Sequence, residues 1–177
     1  MVPQRDIQGD RIRLSSFKEQ DISDKYLGWL ADEKINNYLE VRFKQYSKSL
    51  AEEYVRNCIN SSNVYFLKIE ISELGLIGTC TIFHNQDHKT AEIGLMIGET
   101  SLHNKGFGSE AIGLLAQFCC DDLGVRKVTA GLYATNEGSL KAFLKSGFSI
   151  EAKLSSQVLS EDVPEDLYRL AYFCKRV

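Results

Sequence analysis

In the middle of the chain, the spacing of apolar residues changes from strand-like to helical after three consecutive strand-like runs. Apolar and polar residues alternate through much of 64–71, 76–83 and 91–98, which is typical of half-buried strands. Short polar turns separate the runs, so we expect a three-stranded antiparallel meander. After Gly108 the apolar positions recur at helical spacing up to about Asp122. The chain is therefore predicted to be a mixed α/β protein.

The segments on either side of this region add further elements. We predict a strand at 11–15, helices at 19–31 and 48–60, a strand at 127–133, a helix at 137–146, and strands at 148–152 and 167–174 joined by an acidic loop at 160–166. No linker, repeat or low-complexity run divides the 177 residues. We expect one domain over 1–177, with a mixed, mostly antiparallel sheet flanked by helices.

The charge balance argues against several classes of partner. The chain has 21 Lys and Arg against 24 Asp and Glu, which gives no basic footprint for nucleic acid. No apolar run is long enough to span a membrane, and the start lacks the apolar core of a signal peptide. We expect a cytoplasmic protein without a nucleic-acid or membrane partner. Six acidic residues against two lysines within 19–40 indicate either a solvated helix face or a preference for a cationic substrate.

The five cysteines are odd in number and none forms a C-x-x-C pair. This pattern favours neither a disulfide framework nor a zinc site. We therefore expect Cys58, Cys80, Cys119, Cys120 and Cys174 to be small core residues, and we predict no metal site.

The segment 103–111 is the strongest local signal for function. It contains Gly106 and Gly108 and opens directly into the amphipathic helix. Unpaired amides at a helix start, freed of side-chain bulk by glycine, form an anion site. A phosphate-bearing cofactor fits it, and the alternative is a glycine-rich helix cap that binds nothing. The segment also matches the dinucleotide pattern, but 99–105 separates it from the strand and no acidic residue lies at 125–132.

Three blocks of sequence carry a resemblance to a known family. They are Asp10-Arg11-Ile12-Arg13-Leu14 with Trp29-Leu30-Ala31-Asp32, Ala91-Glu92-Ile93-Gly94 leading to Gly106-Phe107-Gly108-Ser109-Glu110-Ala111, and Asn136-Glu137-Gly138-Ser139 running to Gly147-Phe148. Together they resemble the GNAT-type N-acetyltransferases, in the branch of the ribosomal-protein alanine acetyltransferases. The resemblance implies a sheet splayed between 91–98 and 127–133, with acetyl-CoA in the opening.

The resemblance also implies which residues contact acetyl-CoA. Its pantetheine arm would pair with the backbone of 96–98, and its pyrophosphate would lie on the amides of 104–109. The implied cofactor-binding residues are Met96, Ile97, Gly98, His103, Asn104, Lys105, Gly106, Phe107, Gly108, Ser109, Asn136, Ser139 and Phe143. Asn136 matches a cofactor-contacting Asn of the family, or serves only as the N-cap of its helix.

Two positions depart from the family's pattern. His103 stands where Gln or Arg is usual, so affinity for the cofactor would fall as pH rises if its ring contacts phosphate. Phe143 stands where many members have a Tyr that protonates the leaving thiolate. A thiol with a pKa of about 8.5 leaves with modest help, so we expect activity to survive.

Deprotonation of the amine is the harder requirement. An alkylamine of pKa about 10.4 must lose a proton at pH 7, at a cost of about 4.6 kcal/mol. Glu92, on the strand beside the opening, is the candidate general base, and the alternative is a strand carboxylate paired with a lysine. We expect direct attack without a covalent intermediate, and Met96 or Ile97 amides would polarise the thioester carbonyl.

The expected activity is transfer of an acetyl group from acetyl-CoA to a primary amine. A protein N-terminus, a polyamine, an amino sugar or another small amine would serve, and the alternative is a non-catalytic acyl-CoA-binding or sensor protein. Trp29, Tyr38 and Tyr46 would line an acceptor pocket or belong to the core. A homodimer through the C-terminal strands is possible.

Overall fold

The computed structural model describes residues 6–43 and 47–175, which form one eight-stranded sheet with helices on both faces. The strand order across the sheet is β1-β2-β3-β4-β5-β6-β8-β7. The strands are β1 (Ile7–Gln8), β2 (Arg13–Ser16), β3 (Val64–Ile71), β4 (Gly75–Asn85), β5 (Thr90–Ile97), β6 (Lys127–Tyr133), β7 (Ser149–Ser160) and β8 (Val163–Phe173). The mixed, mostly antiparallel sheet predicted from the sequence is confirmed.

The helices divide the core into two clusters. The α-helices are α1 (Asp24–Ala31), α2 (Glu33–Asn36), α3 (Lys48–Asn60), α4 (Phe107–Asp121) and α5 (Glu137–Lys145), and short 3-10 helices span Glu19–Asp21, Glu40–Phe43 and Thr100–Leu102. One cluster joins α1 and α3 to the sheet through Trp29, Val55 and Met96. The larger cluster includes Ile112 and Phe143, from α4 and α5. Among the described residues, no helix combines the length and apolar character needed to cross a membrane.

The sheet parts between β5 and β6, its one parallel pair among the described strands. These two strands pair only where Thr90–Glu92 meet Lys127–Thr129. The outer ladders continue, since β4 pairs with β5 as far as Ile97 and β6 pairs with β8 as far as Tyr133. The expected splay is therefore present, and it opens toward the start of α4.

The helix predicted at 19–31 is interrupted. Ser23 accepts a hydrogen bond from the Tyr26 amide and caps α1, whereas the preceding turn is a 3-10 helix. Local side-chain bonds of this kind set where a helix begins. The bounds of α3, β3 and β6 match their predictions.

The prediction of an acidic loop at 160–166 is wrong, because most of this segment belongs to the strands of a long hairpin formed by β7 and β8. Only Glu161 and Asp162 form the turn between β7 and β8, with φ of 49° and 64°. Positive φ at both central residues suits the right-handed twist of a two-residue hairpin. Asp166 then pairs with Lys153 across the hairpin at 2.7 Å.

The expectation that all five cysteines are unpaired is also wrong. Cys120, near the end of α4, forms a disulfide with Cys174, just beyond β8, across 54 residues of sequence. The other three cysteines are free and buried, as predicted. Disulfides persist mainly in oxidising compartments, so the bond does not support the cytoplasmic location, which stays a prediction. The C-terminal homodimer also stays a prediction.

Gly98 follows β5 where the backbone passes directly over Trp29. A Cβ at position 98 would overlap the indole ring. We expect Gly98→Ala to lower the free energy of unfolding by about 1–3 kcal/mol, the usual cost of overpacking a core. Urea denaturation measures this loss. Gly94→Ala is the matched control on β5, since a Cβ there meets nothing within 4 Å, and equal stability of the two variants would contradict the packing argument.

Candidate active site

A cleft of about 760 Å³ lies where β5 and β6 part. Its walls come from β5, the loop before α4, α5 and the segment after α1. Most of the predicted cofactor-binding residues line it: Met96, Ile97, His103, Asn104, Lys105, Gly106, Gly108, Ser109, Asn136, Ser139 and Phe143. Their contact with acetyl-CoA stays a prediction, but the structure brings these dispersed residues together.

The loop before α4 presents a row of backbone amides. Gly106 is the N-cap of α4 with φ of 86°, a conformation that favours glycine. The Lys105 amide donates to the Leu102 carbonyl, and the helical ladder begins with Glu110 donating to Gly106. Between them, the amides of 106–109 donate to none of the described backbone carbonyls. Within the predicted 104–109, only the Lys105 amide is therefore already used by the described backbone, and the contact of the other amides with a pyrophosphate stays a prediction.

The cleft lining is positively charged although the chain as a whole carries −3. Lys34, Lys105, Lys141 and Lys145 line it, and its described lining contains no Asp or Glu. Lys141 is partly neutralised by Glu137, one helical turn away at 3.0 Å. Sequence reasoning missed Lys34, Lys141 and Lys145, because only the tertiary structure brings α2 and α5 to the loop.

The exposed edge of β5 differs from the one predicted. The Gly98 amide donates to the carbonyl of Ile77, a residue of β4. Successive backbone groups of a strand point in opposite directions, so the Met96 amide also faces β4. The backbone groups of Leu95 and Ile97 therefore face the gap. Of the predicted 96–98, only Ile97 keeps this orientation, and Leu95 is added to it; their pairing with the pantetheine arm stays a prediction. The Met96 side chain is buried on the α1 side.

His103 lines the cleft, but its ring is held by β5. Its Nε2 lies 2.8 Å from the Ile97 carbonyl oxygen. Because a carbonyl only accepts, Nε2 carries the hydrogen of this bond. In this position the ring does not donate Nε2–H to a phosphate, so a contact of His103 with phosphate would have to be made through Nδ1. The expected pH-dependent affinity stays a prediction.

Asn136 and Phe143 lie on the α5 side of the cleft. The Asn136 Oδ1 accepts from the Ser139 amide at 3.1 Å and caps α5. Its Nδ2 makes no hydrogen bond within the described chain, so both roles considered for Asn136 are compatible. Phe143 is only 1% exposed and packs edge-on against Phe148. The site has no phenol at this position.

Phe107 and Glu92 do not line the cleft. The Phe107 ring packs beneath the Arg11 guanidinium instead. Both Glu92 oxygens accept hydrogen bonds from Arg169, at 3.2 and 2.9 Å. The paired alternative considered for Glu92 is thus present, with an arginine in place of the lysine. Each oxygen keeps a second lone pair, so Glu92 would have to act as a base while in contact with Arg169.

The structure separates the aromatic residues that were predicted to line an acceptor pocket. Tyr38 lines the cleft, Trp29 is buried against Gly98, and Tyr46 lies outside the described residues. The sequence analysis did not single out Tyr133. Its hydroxyl donates a hydrogen bond to the Glu40 carboxylate at 3.1 Å. Burial and this contact raise the pKa of Tyr133.

The acidic bias of 19–40 is largely structural. Asp21 pairs with Lys68, Glu19 pairs with Arg56, and Asp32 caps α2. No group of three or more His, Cys, Asp or Glu side chains that could hold a metal ion occurs in the described parts of the chain.

Comparisons with known proteins agree with this geometry. A family model described as an acetyltransferase (GNAT) domain matches residues 11–149. The uncharacterized N-acetyltransferase YoaA of Bacillus subtilis is 36% identical over 93 residues, which is 51% of each chain. The chain thus spans about half the length of this relative.

Solved structures share the fold at low identity. The spermidine N-acetyltransferase of Vibrio cholerae, solved with CoA and spermine, superposes with a TM-score of 0.83 at 18% identity, covering 93% of this chain and 96% of that one. RimL, a ribosomal-protein alpha-N-acetyltransferase solved with coenzyme A, gives 0.84 at 14% identity over 96% and 98%. Because the family model covers most of the chain, we conclude that this protein belongs to the GNAT acetyltransferase family.

Proposed function

We propose that the protein transfers an acetyl group from acetyl-CoA to a primary amine by direct attack. The observation that supports this most is the lysine-lined cleft that ends in the unpaired amides of 106–109. Several amides at a helix start, together with cationic side chains, match the charge and geometry of a pyrophosphate. The GNAT relatives solved with CoA are consistent with this ligand.

The residues of the cleft suit different parts of acetyl-CoA. The amides of 106–109 would take the pyrophosphate, with Lys105 and Lys145 beside it. Leu95 and Ile97 would offer backbone groups to the amide-containing pantetheine arm, as in an added strand. Asn136 would donate from Nδ2 while its Oδ1 caps α5.

The transfer needs little covalent chemistry from the protein. The amine nitrogen bonds to the thioester carbonyl carbon, the carbon–sulfur bond breaks, and sulfur leaves as thiolate. The amine's proton passes to water. A backbone amide of Leu95 or Ile97 would stabilise the developing oxyanion. A thiol pKa near 8.5 makes departure as thiolate accessible without a phenol at Phe143.

The pKa of the acceptor amine decides how much help its deprotonation needs. A peptide α-amine, with a pKa of about 8, needs far less help to deprotonate at pH 7 than a polyamine of pKa about 10.4. Because Arg169 holds Glu92, an acceptor of the first kind is the easier one to serve. The alternatives to this proposal are transfer of a longer acyl group and a non-catalytic protein that binds or senses acyl-CoA.

Thiol release tests the activity directly. The protein is incubated with acetyl-CoA and with peptides, spermidine or amino sugars, and free thiol is followed. We expect amine-dependent release above background, fastest for one acceptor class. Binding of CoA in calorimetry without release for any amine would favour the sensor, and release only from longer thioesters would indicate a different acyl donor.

Substitutions of Asn136 distinguish its role as the N-cap of α5 from a contact with acetyl-CoA. Ser is an N-cap residue of similar strength to Asn but lacks the side-chain amide. We expect Asn136→Ser to keep the thermal stability and to raise the KM for acetyl-CoA about 3–10-fold, the scale of one hydrogen bond. Asn136→Ala should also lose about 1 kcal/mol of stability. An unchanged KM in Asn136→Ser would leave Asn136 with the capping role alone.

Glu92→Gln tests the candidate base. Loss of a general base costs about 10²–10⁴-fold in rate, whereas loss of a half-exposed ion pair costs at most about 1 kcal/mol of stability. Because Arg169 donates a hydrogen bond to each Glu92 oxygen, we expect the substitution to lower kcat/KM less than about tenfold. The measurement is the pH profile of kcat/KM for both proteins. A hundredfold fall, with loss of the acidic limb of the profile, would restore Glu92 as the base.

A further inference from the structure

We propose that Arg11 is a positioning residue that braces the anion-binding loop and turns its amides toward the cleft. The inference rests on the proposed function and concerns the same site. The Arg11 Nη1 donates to the Lys105 carbonyl at 3.0 Å, and Nε donates to Glu110 Oε2 at 2.8 Å. Its guanidinium also lies 4.4 Å from the centre of the Phe107 ring. One side chain thus holds the loop both before and after Gly106.

Glu110 completes the brace from the side of α4. Its Oε1 accepts from the backbone amides of Arg11 at 2.8 Å and Ile12 at 3.3 Å. A Cβ at Gly9 would lie 2.8 Å from the same oxygen, so glycine permits the close approach. The segment between β1 and β2 is therefore fastened to the first turn of α4, about 100 positions away in sequence.

Peptide geometry links the brace to the amides. The Lys105 carbonyl and the Gly106 N–H belong to one planar trans peptide, in which they point in opposite directions. Arg11 holds the carbonyl on the outer side of the loop. The Gly106 N–H is thereby directed away from Arg11, toward the cleft.

Leu102 and Phe107 pack against the core at the two ends of the loop, but the residues between them border open space. A second cavity of about 770 Å³ lies on its outer side, lined in part by Arg11, Lys105, Gly106 and Glu110. Lys105 and Gly106 also line the cleft between β5 and β6. Open space therefore lies on both sides of these residues. Backbone bonds hold the neighbouring peptides of the loop, and Arg11 supplies the side-chain contact to the Lys105–Gly106 peptide itself.

Arg11 also compensates a charge that would oppose the ligand. Burial raises the pKa of Glu110, but the bonds from Arg11 and Ile12 outweigh it, so the pKa is lowered and the carboxylate is ionised. This negative charge lies in the first turn of the helix whose N-terminus would take a pyrophosphate. Without the guanidinium it would repel the phosphates.

We expect Arg11→Gln to weaken CoA binding about tenfold or more, the scale of charged hydrogen bonds, and to change kcat less than threefold. Arg11→Lys should give a Kd between those of the wild type and Arg11→Gln, since an ammonium lacks the rigid planar fork with which a guanidinium bridges two acceptors. Calorimetry gives the Kd of CoA, and thermal denaturation without ligand gives stability. Arg13→Gln is the matched control: Arg13 is 50% exposed against 48% for Arg11, and it pairs with Glu70 away from the loop.

The double variant Arg11→Gln/Glu110→Gln adds a test of the charge. Removing the uncompensated carboxylate should recover part of the lost affinity, whereas a purely structural role predicts further loss. If Arg11→Gln proves unfolded, Arg11→Lys carries the comparison. If wild-type protein binds CoA and Arg11→Gln binds it with the same affinity, the inference about Arg11 is overturned while the proposed function stands. Where Arg11→Gln is unfolded, unchanged affinity in Arg11→Lys has the same meaning. Absence of wild-type binding would overturn the proposed function instead.

Discussion

The parting of β5 and β6 is the constraint on which the rest of the structure depends. Two parallel strands that pair only at Thr90–Glu92 and Lys127–Thr129 leave facing backbone groups without partners in the sheet. Backbone N–H and C=O groups require a partner or water, so an opening of this kind suits a ligand that carries amides of its own. The neighbouring ladders hold both strands in place beyond the gap, so the opening is part of a rigid sheet.

The cleft combines two sources of positive potential. Backbone amides at the start of α4 supply partial charges whose positions depend on the peptide planes. Lysines from α2, the loop and α5 add full charges. The net charge of −3 conceals this local field, because the acidic side chains are used elsewhere in caps and ion pairs. The charge distribution around the cleft, and not the total charge, would therefore set an affinity for anions.

Several site features follow from local sequence and others do not. The glycine at 106 and the helix that follows it were predictable, since left-handed backbone and helical periodicity are properties of neighbouring residues. The side of β5 that faces the gap was not, because it depends on which residues of β4 pair with it. The bond between His103 and Ile97 and the ion pair of Glu92 with Arg169 likewise arise only when distant segments meet. These contacts constrain the roles expected for both residues.

The sequence by itself determined the order and type of most elements, the mixed sheet, and the glycine-containing loop that opens α4. Hydrophobic periodicity and glycine placement act over a few residues, and they therefore survive without knowledge of the chain path. Only the tertiary structure decided the Cys120–Cys174 disulfide, the Arg169 partner of Glu92 and the Arg11 brace on Glu110. Their partners are separated by 54, 77 and 99 positions. At such separations a contact depends on how the whole chain folds, and no local pattern encodes it.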